Sequence, residues 1–116
     1  MDFQHLLEAE AVDFIQPSPA KMGGITELAK VFAMAGVNNT TVKVHTFYDG
    51  PGLLAAVHAS AALGGSGAWV EWRYFDLEAQ LYGDAIVPRN GAIAIPQGPG
   101  LGLEPSADVI RRYRSA

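Results

Sequence analysis

Two side chains in this sequence combine a reactive residue type with a position suited to acid–base chemistry. The first is His45, which stands near the end of an apolar run and just before the turn Asp49-Gly50-Pro51-Gly52. An imidazole in such a place can exchange a proton near neutral pH. The alternative is a histidine that packs in the interior and hydrogen-bonds a backbone carbonyl. The residue pattern by itself leaves both interpretations open.

Glu71 is the second candidate. It lies in the run Trp69-Val70-Glu71-Trp72, and a charged carboxyl is costly in such apolar surroundings unless it has a partner. Glu71 is therefore paired, protonated or catalytic. The paired alternative is a salt bridge to Arg73 or Lys43.

The elements that must position these residues follow a βα rhythm. Segments of helical periodicity alternate three times with short apolar runs, which predicts a parallel sheet covered by helices. The second strand would place Val42 and Val44 on one face and Lys43 and His45 on the other. The predicted strands cover residues 12–17, 40–47 and 68–75, and the predicted helices cover residues 3–11, 25–35, 53–63 and 108–114.

Turn and capping residues mark some of the boundaries. Gly36 is placed to follow the second helix in a left-handed conformation. Asn90-Gly91 between two β-prone runs predicts a hairpin, and Ser106 is a candidate N-cap for the last helix. The glycines of residues 98–102 resemble a phosphate-binding loop in composition only, because no Lys-Ser/Thr pair follows them.

Composition excludes several classes of protein. The 116 residues include 49% hydrophobic and 17% charged residues, which predicts one globular domain at most. A net charge of −4 argues against nucleic-acid binding, and the absence of cysteine excludes disulfides and thiol nucleophiles. Residues 51–70 contain no Asp, Glu, Lys or Arg, but their Ala, Gly and Ser content argues against a membrane span. No secretory signal is visible, so the expected location is the cytoplasm.

A series of short motifs runs in order along nearly the whole chain, and together they resemble the C-terminal third of proteins of the mandelate racemase and muconate-lactonising group of the enolase superfamily. The motifs are Ile15-Gln16-Pro17, Met22-Gly23-Gly24-Ile25-Thr26-Glu27, His45, Gly50-Pro51-Gly52-Leu53-Leu54-Ala55-Ala56, Trp69-Val70-Glu71-Trp72, Val87-Pro88 through Gly91, and Pro96-Gln97-Gly98-Pro99-Gly100-Leu101-Gly102-Leu103.

This resemblance implies an α/β fold, a partial TIM-type (β/α) barrel that holds the sixth, seventh and eighth strands and ends in a hairpin and tail. In such proteins a base removes the proton α to the carboxylate of a hydroxy acid or sugar acid, and Mg²⁺ stabilises the enediolate. By resemblance, His45 takes the place of the catalytic histidine of the seventh strand. Glu71 takes the place of the eighth-strand acid that hydrogen-bonds the enediolate oxygen.

The chain departs from this pattern at two points. Ser18 stands where racemase-like members carry an Asp that orients and charges the histidine. Serine supplies no negative charge, so a dehydratase is as compatible with this chain as a racemase. The metal ligands and the lysine base of the family stand on earlier strands, so no residue of this chain is assigned to Mg²⁺.

We therefore expect residues 1–84 to form a barrel segment and residues 85–116 to form a tail that contacts a capping domain. The parent enzyme would act on a small carboxylate substrate, with the missing N-terminal barrel and capping domain as partners. The isolated chain would be inactive, poorly soluble or self-associating, for example as a homo-oligomer. The alternative is a non-catalytic α/β remnant that acts as an oligomerising or binding module.

Overall fold

The computed structural model describes residues 2–115. Four helices and two short strands alternate along this part of the chain, with two 3₁₀ turns at Gly65–Gly67 and Gly83–Ile86. The helices are α1 (Asp2–Glu8), α2 (Ile25–Val37), α3 (Pro51–Leu63) and α4 (Ala107–Tyr113), and the strands are β1 (Phe14–Ile15) and β2 (Thr41–Val42).

The sheet is parallel, as predicted, but much shorter than predicted. In β1 and β2, Ile15 pairs with Val42, and the expected third strand is reduced to one parallel bridge between Val44 and Val70. A strand at the edge of a sheet lacks a partner on its outer side, and Pro17 has no N–H to extend the ladder of β1. The predicted barrel is not shown by these residues; what they form is an α/β unit with few strands.

The helices form where apolar residues recur at helical spacing. In α2 the buried residues Leu28, Val31 and Ala35 lie on one face. The helix continues through Gly36 to Val37 and is followed by Asn38, so the prediction that Gly36 follows the helix end is wrong. Pro51 stands in the first turn of α3, where its fixed φ is favourable and its missing N–H costs nothing.

The other local signals are confirmed. Asn90 and Gly91 both have positive φ, 53° and 76°, and an antiparallel bridge joins Arg89 to Ala92 across that turn. The Ser106 side chain accepts a hydrogen bond from the amide of Val109 at the start of α4.

One apolar cluster joins the helices to one face of the sheet, and a second lies between α3 and the C-terminal segment. The first contains Leu7, Ile15, Leu28, Val31, Ala35, Val42, Val44, Ala56 and Ala59. The second contains Leu53, Leu54, Val57, Tyr82 and Ile86, with Leu101 and Leu103 packed against it. The tail is thus held on α3, while the predicted division at residues 84 and 85 stays a prediction.

The opposite face of the sheet is open to solvent. Phe14 is 51% exposed and Trp69 is 60% exposed, although both lie on strand segments. The Lys43 ammonium lies between them, 4.3 Å from the centre of the Phe14 ring and 4.5 Å from that of Trp69. Among residues 2–115, no helix is long and apolar enough to cross a membrane.

Candidate active site

Backbone hydrogen bonds across the three strand segments bring His45 and Glu71 side by side. The amide of His45 donates to the carbonyl of Pro17 at 3.0 Å, and the amide of Glu71 donates to the carbonyl of Val44 at 2.9 Å. Val44 and Val70, the residues before them, pack toward the helices. Because side chains alternate along a strand, His45 and Glu71 share the open face.

The two side chains meet at hydrogen-bonding distance. His45 Nδ1 lies 2.6 Å from Glu71 Oε2, with the His45 side chain 24% exposed and that of Glu71 39% exposed. Sequence reasoning placed both residues near the carboxyl ends of strands and left Glu71 either catalytic or paired with Arg73 or Lys43. In the structure its partner is His45.

The contact is close in distance but not well aligned. Glu71 Oε2 is buried and receives no hydrogen bond in a favourable direction, even though His45 Nδ1 stands within 2.6 Å. Rotation of the imidazole about its soft χ2 torsion would align the two groups, so the 2.6 Å distance allows a hydrogen bond between them.

Aromatic rings surround the imidazole on its other sides. The centroid of the Phe47 ring lies 4.8 Å from that of His45 and the centroid of the Tyr48 ring lies 6.2 Å away, both in edge-to-face arrangements. Such packing limits the orientations that the His45 ring can adopt.

Ser18 is buried, and its hydroxyl contacts Tyr48. The Ser18 Oγ and Tyr48 Oη atoms are 2.6 Å apart, and Tyr48 Oη donates to the carbonyl of His45 at 3.3 Å. A phenol has a single proton to donate, so Ser18 donates to Tyr48 when Tyr48 donates to His45. The predicted site residue Ser18 is thus connected to the backbone of His45 through Tyr48.

Sequence reasoning included Tyr48 only as the end of the segment 45–48 and gave it no role. It lies three residues after His45, at the end of a strand where reactive loops are expected, and this position was the available signal. No spacing rule indicates that its hydroxyl reaches back to Ser18, 30 residues earlier in the chain.

The basic residues closest to this site in sequence are engaged elsewhere. Lys43 lies over the Phe14 and Trp69 rings. The Arg73 guanidinium carbon lies 4.5 Å from the centre of the Trp72 ring. Neither cation forms an ion pair with Glu71 in the part of the chain that the structure describes.

Several buried polar atoms lack hydrogen-bond partners, and all of those found among residues 2–115 lie on the loops that follow the second and third strand segments. They are Thr46 Oγ1, Asp49 Oδ1, Glu71 Oε2, Arg73 Nη1 and Gln80 Oε1. Buried polar groups normally have partners, and exceptions gather at functional sites. This distribution agrees with a site at the carboxyl ends of the strands.

The residues described do not supply a metal centre. Between residues 2 and 115, no group of three or more His, Asp or Glu side chains is arranged to hold an ion. A cavity of about 530 Å³ lies between α3, the third strand segment and the hairpin, but it is lined largely by apolar side chains such as Val57, Trp72 and Ile93. His45 and Glu71 do not line it.

Comparison with known proteins identifies relatives of this chain. The chain is 30% identical over 115 residues to arabinonate dehydratase of Saccharolobus solfataricus. The aligned region covers 97% of this chain and 30% of that protein. It is 32% identical over 111 residues to D-xylonate dehydratase of Haloferax volcanii, and that aligned region covers 93% of this chain and 26% of that protein. The chain therefore spans about a third or less of the length of these relatives.

A solved structure and a family model agree with these relatives. The mandelate racemase/muconate lactonizing enzyme-like protein of Rubrobacter xylanophilus superposes with a TM-score of 0.83 at 31% identity, over 98% of this chain and 30% of that one. The family model described as enolase C-terminal domain-like matches residues 1–109. The chain is thus a member of the enolase C-terminal domain-like family.

Proposed function

We propose that this chain is the segment of an acid-sugar dehydratase or racemase-like enzyme that carries the last three strands of a (β/α) barrel. In that enzyme His45 would abstract the α-proton of a hydroxy-acid or sugar-acid carboxylate. The observation that carries the proposal is the 2.6 Å contact between His45 Nδ1 and Glu71 Oε2 at the carboxyl ends of the strands. The similarity to dehydratases of arabinonate and D-xylonate supports the class of substrate.

The geometry leaves one nitrogen of His45 for the substrate. Nδ1 faces Glu71, so Nε2 is the atom that would accept the proton. The C–H bond of the α-carbon breaks, its electron pair moves toward the carboxylate to form an enediolate, and the proton ends on Nε2. In a dehydratase the electron pair of the enediolate then forms a C=C bond, the C–O bond of the neighbouring carbon breaks, and the hydroxyl takes the proton from Nε2 and leaves as water. In a racemase a proton returns to the α-carbon.

In this proposal the segment depends on other parts of the enzyme. The Mg²⁺ that the family resemblance implies finds no ligand cluster among residues 2–115, so its ligands would have to come from the rest of the enzyme. The open face that carries Phe14 and Trp69 is also uncovered, whereas the inner face of a closed barrel is filled by side chains from all its strands. We therefore propose that catalysis requires the remaining strands and a capping domain.

A chimaeric enzyme tests this proposal. This chain replaces the matching segment of the S. solfataricus arabinonate dehydratase. Loss of the α-proton of arabinonate, by exchange for deuterium or by elimination of the neighbouring hydroxyl, is followed by ¹H NMR in D₂O with Mg²⁺. We expect α-proton loss with the chimaera, and none with the 116-residue chain or with the relative without its matching segment. A folded chimaera that removes the α-proton no faster than the truncated relative would contradict the proposal.

A further inference from the structure

We propose that Glu71 is the carboxylate that positions His45 and holds a proton on its Nδ1. The resemblance implies a different role for Glu71, as a protonated acid that hydrogen-bonds the enediolate oxygen. The catalytic meaning of this assignment rests on the proposed function. The contact itself, and the tautomer that it imposes, do not depend on the proposed function.

The register of the strands holds His45 and Glu71 in the positions that this contact needs. The His45 amide is bound to the carbonyl of Pro17, and the Glu71 amide to the carbonyl of Val44. Both Cα atoms are therefore held by hydrogen bonds to a neighbouring strand segment. Only the side-chain torsions remain to be set, and they place Nδ1 and Oε2 2.6 Å apart.

Ser18, which occupies the place of the expected aspartate, does not take this role. Its hydroxyl lies 2.6 Å from that of Tyr48, and Tyr48 in turn donates to the backbone carbonyl of His45. Ser18 therefore acts on the main chain of the loop and not on the imidazole. An uncharged hydroxyl would in any case give little stabilisation to an imidazolium.

No lysine or arginine in the described part of the chain forms an ion pair with Glu71. Lys43 is held over two aromatic rings, and Arg73 is stacked on Trp72. Glu71 thus has His45 as its close basic neighbour. Its Oε2 can accept from Nδ1–H whether the carboxyl is ionised or protonated on its other oxygen, because a protonated carboxyl keeps an accepting oxygen.

The chemical consequence concerns the tautomer of His45. A neutral imidazole carries one proton, and the hydrogen bond at one nitrogen decides which nitrogen carries it. An acceptor at Nδ1 places the proton there and leaves the Nε2 lone pair free to act as a base. After Nε2 takes the substrate proton, the carboxylate of Glu71 stabilises the imidazolium, which is the logic of a base oriented by a third group.

His58 is an internal reference, because it is expected as the opposite tautomer. Its Nε2 lies 3.1 Å from the carbonyl oxygen of Leu101. A carbonyl only accepts, so His58 must carry its proton on Nε2. The same chain therefore holds one histidine expected as the Nδ1–H tautomer and one expected as the Nε2–H tautomer.

The test is ¹⁵N NMR of the imidazole nitrogens in the 116-residue chain, in solution or by magic-angle spinning if the chain assembles. The ring signals are assigned with His45→Asn and His58→Asn variants. At a pH where both rings are neutral, we expect His45 mainly as Nδ1–H and His58 mainly as Nε2–H. A His45 ring found mainly as Nε2–H in the unaltered chain would overturn the proposal.

Variants separate Glu71 from Ser18. Glu71→Ala should shift His45 to a majority of Nε2–H, because no acceptor then faces Nδ1. Ser18→Ala should leave the tautomer unchanged. A shift caused by Ser18→Ala, or none caused by Glu71→Ala, would overturn the proposal, with the His58 signal reporting in each variant that α3 and the tail remain packed.

The result is independent of the chimaera experiment. A chimaera that does not remove the α-proton, beside an intact Nδ1–H tautomer, would refute the proposed function and leave the positioning role of Glu71. A chimaera that removes the α-proton, beside a His45 found mainly as Nε2–H, would refute the positioning role and leave the proposed function.

Discussion

The hydroxyl of Tyr48 lies 2.6 Å from that of Ser18 and ties the loop after the second strand segment to the end of the first. Ser18 is 6% exposed, so removing its partner leaves a buried hydroxyl without a hydrogen bond. Through the second bond of Tyr48, to the carbonyl of His45, this contact also supports the candidate base. Tyr48 is thus a structural support of the site.

We expect Tyr48→Phe to lower the free energy of unfolding by about 1–3 kcal/mol, the usual cost of leaving a buried polar group unpaired. The measurement is urea unfolding of both proteins at one concentration. Ser18→Ala and the double variant complete a mutant cycle, in which the two single losses should not add. Strictly additive losses would show that the two hydroxyls do not interact.

A second prediction concerns Gly36, which lies inside α2. An added Cβ there would meet no atom within 4 Å, and alanine is favoured over glycine in a helix by about 0.5–1 kcal/mol. Gly36→Ala should raise the free energy of unfolding by about that amount. Gly65, which is equally uncrowded but has a φ of +57°, is the matched control, and Gly65→Ala should destabilise. A destabilising Gly36→Ala would indicate the left-handed helix end that the sequence predicted.

A third prediction concerns alkaline pH and Tyr82, which is 9% exposed. Burial raises the pKa of Tyr82 above its ordinary value of 10.0, and repulsion by the carboxylates of Asp49 and Glu104 raises it further. The folded chain therefore holds this proton more tightly than the unfolded chain, so the stabilisation is complete below about pH 10 and is lost as pH rises through the folded pKa.

Thermal unfolding between pH 8 and pH 11 tests this sign. The melting temperature should fall less steeply in Tyr82→Phe than in the unaltered chain, because phenylalanine has no proton to lose. Tyr74→Phe is the control, since Tyr74 is 91% exposed. Identical slopes for the unaltered chain and Tyr82→Phe would contradict the prediction.

A fourth prediction is self-association of the isolated chain through the open face of its sheet. This face exposes Phe14 and Trp69, and unpaired strand edges flank it. Light scattering should give a mass that rises above 12.3 kDa as concentration increases. Trp69→Gln should weaken the association and Tyr74→Gln should not. A chain that stays monomeric at all concentrations would contradict the prediction.

The sequence predicted the order of the elements and the two faces of the second strand, because both follow from local periodicity. It also predicted the cap at Ser106 and the turn at Asn90-Gly91, whose conformations depend on their own residue types. The predicted strands were too long, because the length of a β-ladder depends on hydrogen bonds from a neighbouring strand and not on the strand alone. The helix end at Gly36 was wrong because α2 continues to Val37 and the left-handed residue after it is Asn39, whose φ is 54°.

For the site, alternation along the strands placed His45 and Glu71 on one face, but it did not indicate that they touch. Their contact depends on the stagger between two strand segments, which backbone hydrogen bonds at Pro17 and Val44 determine. The Ser18–Tyr48 contact joins residues 30 positions apart, so no local signal encodes it. The sequence pattern therefore did not predict contacts between residues that lie far apart in the chain.

The most direct test of His45 as the base is the rate of α-proton loss from arabinonate with the chimaeric enzyme, with one histidine replaced at a time. His45→Asn should reduce this rate by about 100-fold or more, the usual contribution of a general base. His5→Asn, on the exposed surface of α1, should leave it unchanged. An unchanged rate of α-proton loss in a folded His45→Asn chimaera would remove His45 from the reaction and contradict the account.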